Sequence, residues 1–116
     1  MVWRLVLTGR AEKDIEAILR HSHKEFGAEM AASYERQIVI ALSQIAEDPN
    51  RAGSKSRRIN QVLYRTFHIG MSTPKQRVQV ARVKNPRHVL FYLKQSGDTL
   101  VVVRILHERM DFERQI

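Results

Sequence analysis

Apolar residues recur at two periods along this chain, and the change from one to the other marks out its elements. From Val2 to Leu7 the side chains alternate, with Trp3, Leu5 and Leu7 on one face and Val2, Arg4 and Val6 on the other, which predicts a strand. From about Gly9 to Phe26 the period lengthens. Ala11, Ile15, Ile18, Leu19 and Phe26 make one helical stripe, with Ser22 as its polar member. Thr8 is placed to cap this helix, and Glu12 and Asp14 sit early in it, where the helix dipole favours acids. Gly27 supplies a break. A second helix is predicted from about Ala28 to Ala46, with the stripe Ala31, Tyr34, Ile38, Ala41, Leu42 and Ile45, stopped by Asp48-Pro49. So short a junction between two amphipathic helices predicts an antiparallel helical hairpin. Val39 and Ile40 widen the second stripe; they are either more core or an apolar edge that a partner covers.

The second half returns to a period of two. Arg51 to Gln61 is polar and basic and predicts a loop carrying Arg51, Lys55, Arg57 and Arg58. Val62 to Ile69 predicts a strand with Leu63, Arg65, Phe67 and Ile69 on one face, so Arg65 interrupts an apolar row. That arginine either snorkels to solvent or lines a cleft beside Arg104. Met71 to Pro86 is a long basic loop, or a loop holding a short strand at Arg77–Val83. His88 to Lys94 predicts a strand, and Gln95–Asp98 turns it into the last one. From Leu100 to Leu106 every residue but Arg104 is apolar, as in a strand buried on both faces at the centre of a sheet. The tail, Met110 to Ile116, has the apolar residues for one helical turn folded back on that sheet. The order β-α-α-β-β-β predicts one α+β domain over residues 1–116, with an N-terminal helical hairpin packed on a mostly antiparallel sheet.

Charge alters this picture through its placement. Residues 1–48 hold 6 basic and 8 acidic side chains, residues 98–116 hold 3 and 4, and residues 49–97 hold 11 basic and none acidic. The whole excess of +8 lies in the middle segment. A carboxylate-free basic surface (Lys55, Arg57, Arg58, Arg77, Arg82, Lys84 and Arg87) implies an acidic partner, protein or nucleic acid. With no cysteine there is no thiol nucleophile or disulfide framework. The opening residues are too short and too interrupted for a signal peptide, and no stretch approaches the ~18 apolar residues of a membrane span, so a soluble cytoplasmic protein is expected.

The candidate chemistry gathers where the last strand ends: Arg104, His107, Arg109 and Asp111. A buried arginine needs a partner, so Arg104 either meets a core carboxylate or stands at a cleft rim. Phosphate-binding glycine loops and nucleophile elbows do not occur. His21 and His23 diverge by ~200° on a helix, and His68, His88 and His107 fall on separate predicted strands, so neither a metal site nor a cofactor is expected.

The string R-I-L-H-E-R-M-D, Arg104 to Asp111, resembles the closing signature of the RelE/ParE toxin superfamily, in its ParE-like, plasmid-stabilisation branch. Leu7-Thr8, Ala11, Asp14-Ile15, Phe26-Gly27, Ala31 and Tyr34 match the family's opening in order and spacing. The resemblance covers nearly the whole chain except a basic insertion at 71–86, and some related sequences carry a comparable one leading into N-P-R-H, here Asn85 to His88. It implies the toxin of a type II toxin-antitoxin system that inhibits growth by poisoning DNA gyrase without itself cutting a bond. Arg104, His107, Arg109, Met110 and Asp111 would then contact the target. A small acidic antitoxin would cover Val39 and Ile40 and be steered by the basic segment. Two alternatives share the fold. In a RelE-like, ribosome-dependent mRNA endonuclease, Arg65, Arg104 and Arg109 would stabilise phosphorane charge and His107 would be acid or base. A non-toxic or regulatory member is the other. RelE-type nucleases usually carry a tyrosine at the end of the cleft, and this chain has none after Tyr92, which favours the ParE-like branch.

Overall fold

The computed structural model describes residues 2–72 and 86–116. Its first strand, β1 (Arg4–Leu7), leads into α1 (Gly9–Phe26) and α2 (Ala28–Glu47). The Thr8 hydroxyl accepts from the Ala11 amide at 3.1 Å and so caps α1 as expected. Gly27, at φ +92°, makes the sharp junction between the helices. The strands β2 (Ser54–Ile59), β3 (Val62–His68), β4 (His88–Gln95) and β5 (Thr99–His107) follow, with a last turn of helix, α3 (Phe112–Gln115).

Among the described residues, five strands form one sheet in the order β1-β5-β4-β3-β2. All neighbours are antiparallel except β1 and β5, which run parallel, Arg4–Leu7 against Thr99–Val102. The expected α+β architecture is observed, but β5 is not at the centre of the sheet: it lies between β1 and β4, one place from the edge, and β4 is the middle strand. One further element differs. The stretch taken as a basic connector contains β2, joined to β3 by a two-residue turn at Asn60 (φ +49°) and Gln61 (φ +69°). Its sequence, S-K-S-R-R-I, lacks alternation because an edge strand that is largely exposed needs no apolar face. The strand weighed for Arg77–Val83 lies outside the described residues.

The two sheet faces are covered unequally. On one, Ala11, Tyr34, Ile38, Ala41 and Ile45 from the helices pack on Phe67, Leu90, Tyr92, Leu100, Val102 and Ile105. Phe26, placed on the α1 stripe by its spacing, is instead exposed at the helix end. On the other face, Ile59, Tyr64, Phe91 and Leu106 are covered by the tail through Phe112 and Ile116. Phe112 meets Phe91 edge-on, with ring centroids 4.8 Å apart.

A bulge in β5 sets which side chains point where. Tyr92 pairs with Val102 but Phe91 pairs with Arg104, so Val103 is an extra residue. Beyond it the strand is out of phase with its first half. Arg104 leaves the helix-covered face, and Ile105 and His107 take it.

Candidate functional site

The strand β1 stops at Leu7, which would leave the outer edge of β5 without a ladder partner from Val103 onward. Side chains of α1 serve instead. The Thr8 hydroxyl donates to the Val103 carbonyl at 2.8 Å, and the Asp14 carboxylate accepts from the Ile105 amide at 3.0 Å. That carboxylate also receives two bonds from Arg104, Nε at 2.8 Å and Nη2 at 3.1 Å. The remaining Arg104 Nη1 donates to the Gln115 carbonyl in the tail. Arg104, 7% exposed, is therefore paired with a core carboxylate and ties α1, β5 and α3 together. Of the two sequence readings, the carboxylate partner is the one found.

Arg65 does not join Arg104. It lies on β3 opposite Tyr92, with β4 between the two arginines, roughly 10 Å of sheet. It shares the helix-covered face with Phe67, whereas Arg104 follows the bulge to the other face. Its guanidinium donates to the Pro49 carbonyl at 3.1 Å and to the hydroxyls of Ser54 at 2.7 Å and Ser56 at 3.2 Å. Arg65 fastens the β2 edge to the end of α2.

What converges at the end of β5 is a set of histidines that the sequence left apart. His88 and His107 are register partners across β4 and β5, with rings perpendicular and centroids 5.4 Å apart. The His88 Nδ1 meets the Tyr34 hydroxyl at 2.5 Å, and the His107 Nδ1 accepts from the Arg109 amide at 3.1 Å. Beside them His68 bonds Glu108 at 2.7 Å, and Arg87 holds the other Glu108 oxygen at 2.9 Å. Burial, and then the charges of His107 and His68, push the His88 pKa down to about 4. Burial raises that of Tyr34 to about 12. Arg87 and then His68 hold Glu108 down to about 2. At neutral pH this is a neutral imidazole, a protonated phenol and a carboxylate already claimed by two cationic or donor groups.

Tyr34, His68, His88 and Glu108 were thus missed as site residues. The available signal was that His88 opens one strand of a hairpin and His107 closes the other, which brings them close; the turn register alone would set His88 opposite Leu106, and the bulge at Val103 puts His107 there instead. The expected residues beyond the strand end fall on the surface: Arg109, Met110 and Asp111 are exposed, and Asp111 pairs with Arg114 at 3.4 Å.

Val39 is 55% exposed on the outer side of α2, while Ile40 beside it is half-buried. Lys55, Arg57 and Arg58 lie on the β2 edge, and Arg57 stacks over the Phe112 ring at 4.8 Å. Arg87 stands apart from that edge, paired with Glu108. Arg77, Arg82 and Lys84 lie outside the described residues. Among the described residues no group of histidines and carboxylates has the arrangement of a metal site, and no helix is long and apolar enough to cross a membrane.

This geometry, a helical hairpin and a short tail on opposite faces of a five-stranded sheet, is that of a known class of small α+β proteins. The solved chromosomal ParDE TA system from P. aeruginosa has a chain of the same fold, with a TM-score of 0.67 and 17% identity over 91% of this chain and 96% of that one. The family model described as the ParE toxin of type II toxin-antitoxin system, parDE, matches residues 5–112, and the chain belongs to that family. It is 29% identical to Toxin ParE of Escherichia coli, over 91% of this chain and 85% of that protein. It is 27% identical to Toxin ParE1 of Caulobacter vibrioides, over 90% and 88%. Toxin ParE1 of Mycobacterium tuberculosis is 26% identical over 97% of both. The chain is the toxin component of a type II toxin-antitoxin system, and an antitoxin is its partner.

Proposed function

We propose that this toxin works as a binding poison of DNA gyrase, with the end of β5 as its contact surface. His107, Arg109, Met110 and Asp111 form that surface. Arg104 acts from beneath it by holding the tail in place through Gln115. A small acidic antitoxin neutralises the toxin by covering Val39 and Ile40, with Lys55, Arg57 and Arg58 steering its approach.

The observation that carries this reading is the engagement of the two arginines an RNA-cutting cleft would draw on. Arg104 is bound by Asp14 and Arg65 by Pro49 and two serines, on opposite faces of the sheet. Cations already satisfied within the fold are poorly placed to meet charge that develops on a scissile phosphate. After His107, the exposed side chains of Arg109 and Met110 have no such partner among the described residues, Asp111 has only an exposed pair with Arg114, and all three suit a protein contact.

The test is a supercoiling reaction with purified toxin, gyrase, ATP and plasmid. Loss of supercoiling with trapped, cleaved DNA is expected, and Arg109→Ala should weaken it by about tenfold. A folded toxin that spares gyrase but cuts mRNA on programmed ribosomes would overturn the reading.

A further inference from the structure

The β2–β3 hairpin outruns the sheet that carries it. We propose that its outer half, through Arg58, Gln61 and Leu63, is a contact surface for double-stranded DNA that enters the major groove.

Strand pairing makes this part of the hairpin a ribbon. The strand β3 is laddered to β2 from Val62 to Phe67, but to β4 only from Arg65 to His68. From Arg57 to Tyr64 the two strands therefore continue without a third. One side of the ribbon rests on the tail, where Ile59 and Tyr64 pack with Phe112 and Ile116 and Arg57 stacks on the Phe112 ring. The Asn60 amide is spent on that side too, on the carbonyls of Glu113 and Ile116. Arg58 and Leu63 are register partners on the opposite side, and there the ribbon is bare. Leu63 is 54% exposed, and among the described residues the Arg58 guanidinium meets only the Gln61 carbonyl, at 3.4 Å. At the tip Gln61 holds φ +69°, and its side chain has no hydrogen bond among the described residues. The backbone carries strain there that glycine would avoid, while presenting a free amide.

Charge and shape together select the partner. Residues 49–97 carry 11 basic side chains and no acidic one, so nothing within the hairpin repels a phosphate backbone. Lys55, Arg57 and Arg58 line the length of β2. The major groove of B-form DNA is roughly 12 Å wide and admits a two-stranded ribbon, whereas that of an RNA duplex is too deep and narrow for side chains to read. A free amide at the tip matches the paired donor and acceptor on the adenine edge, and an exposed leucine matches the thymine methyl group. Steering an acidic antitoxin from a distance uses the cations alone and leaves Gln61 and Leu63 without a role. The contact requires nothing of gyrase: it concerns what the free toxin binds.

The experiment is a fluorescence-anisotropy titration of the full chain with a labelled 16-base-pair DNA duplex rich in A·T pairs. The RNA duplex of the same sequence and an octaglutamate peptide are titrated beside it. DNA should bind at least about tenfold tighter than either. Gln61→Gly and Leu63→Ser leave the buried side of the hairpin intact, which the urea midpoint checks, and each should lower DNA affinity about threefold to tenfold. Arg58→Gln should lower it about tenfold and reduce the slope of log affinity against log salt by about one. Lys13→Gln removes the same charge from the exposed side of α1 and should cost less than about twofold. Equal binding of the RNA duplex would overturn the groove contact. So would binding indifferent to both Gln61→Gly and Leu63→Ser, or a loss with Lys13→Gln as large as with Arg58→Gln. Octaglutamate bound as tightly as DNA would overturn it too, making the hairpin a receptor for acidic peptide.

Discussion

Two side chains show how burial governs both stability and chemistry at this strand end. His88 is neutral in the fold, with a pKa near 4, and becomes protonatable at about 6.5 once unfolded. Between those values the unfolded chain binds more protons, so stability falls as pH drops from 6.5 toward 4. Urea unfolding should show a loss on the order of 2 kcal/mol between pH 6.5 and 5. His88→Gln should flatten most of that slope; an unchanged slope would place the titration elsewhere. Glu108 adds its own loss lower down, as pH falls through 4.5 toward 2. Asp14 is the other decisive residue, because it closes the open edge of β5 and neutralises Arg104. Asp14→Ala leaves a buried guanidinium and a buried amide unpaired and should cost about 3–5 kcal/mol, read from the shift in the urea midpoint. Chemical pattern alone required a partner for Arg104. That the partner would be Asp14, 90 residues earlier, depended on where β1 ends.

At the level of elements, the helices were legible and one strand was not. Both helices carry a 3.6-residue stripe because a single face is buried, and their ends carry Thr8 and Gly27 for reasons local to the backbone. The strand β2 has no such signal, since its order comes from pairing with β3 rather than from a buried face. Its turn also hides, because Gln61 occupies a left-handed position that usually takes glycine. Gln61→Gly should therefore stabilise the hairpin by about 0.5–1 kcal/mol in thermal or urea unfolding. A destabilised variant would mean that the Gln61 side chain makes a contact worth more than the backbone strain.

Across the whole molecule, the two sheet faces have different owners. One belongs to the helical hairpin and the other to the tail, which Arg104, Asn60 and Phe112 hold down. This leaves the outer side of α2 and the rim beyond His107 as separate surfaces, so a toxin with both an antitoxin and a target has room for two distinct contacts. Val39→Asp, on the exposed side of α2, should weaken the antitoxin complex by about tenfold in calorimetry while leaving the unfolding midpoint within roughly 0.5 kcal/mol of the parent. It is a cleaner probe than a charge at Ile40, which is half-buried. An unaltered affinity would remove α2 from the antitoxin surface.

The amino-acid sequence by itself determined the helical hairpin, the apolar last strand and the uneven charge, because each is written in the spacing of neighbouring residues. It also placed candidate residues at the end of β5. Only the tertiary structure decided that Arg104 is claimed by Asp14, that Arg65 belongs to a different face, and that His68, His88 and His107 meet. The physical reason is the pairing of strands distant in sequence. A one-residue bulge at Val103 and the early end of β1 settle which face a side chain takes and what it touches, and neither leaves a periodic mark along the chain.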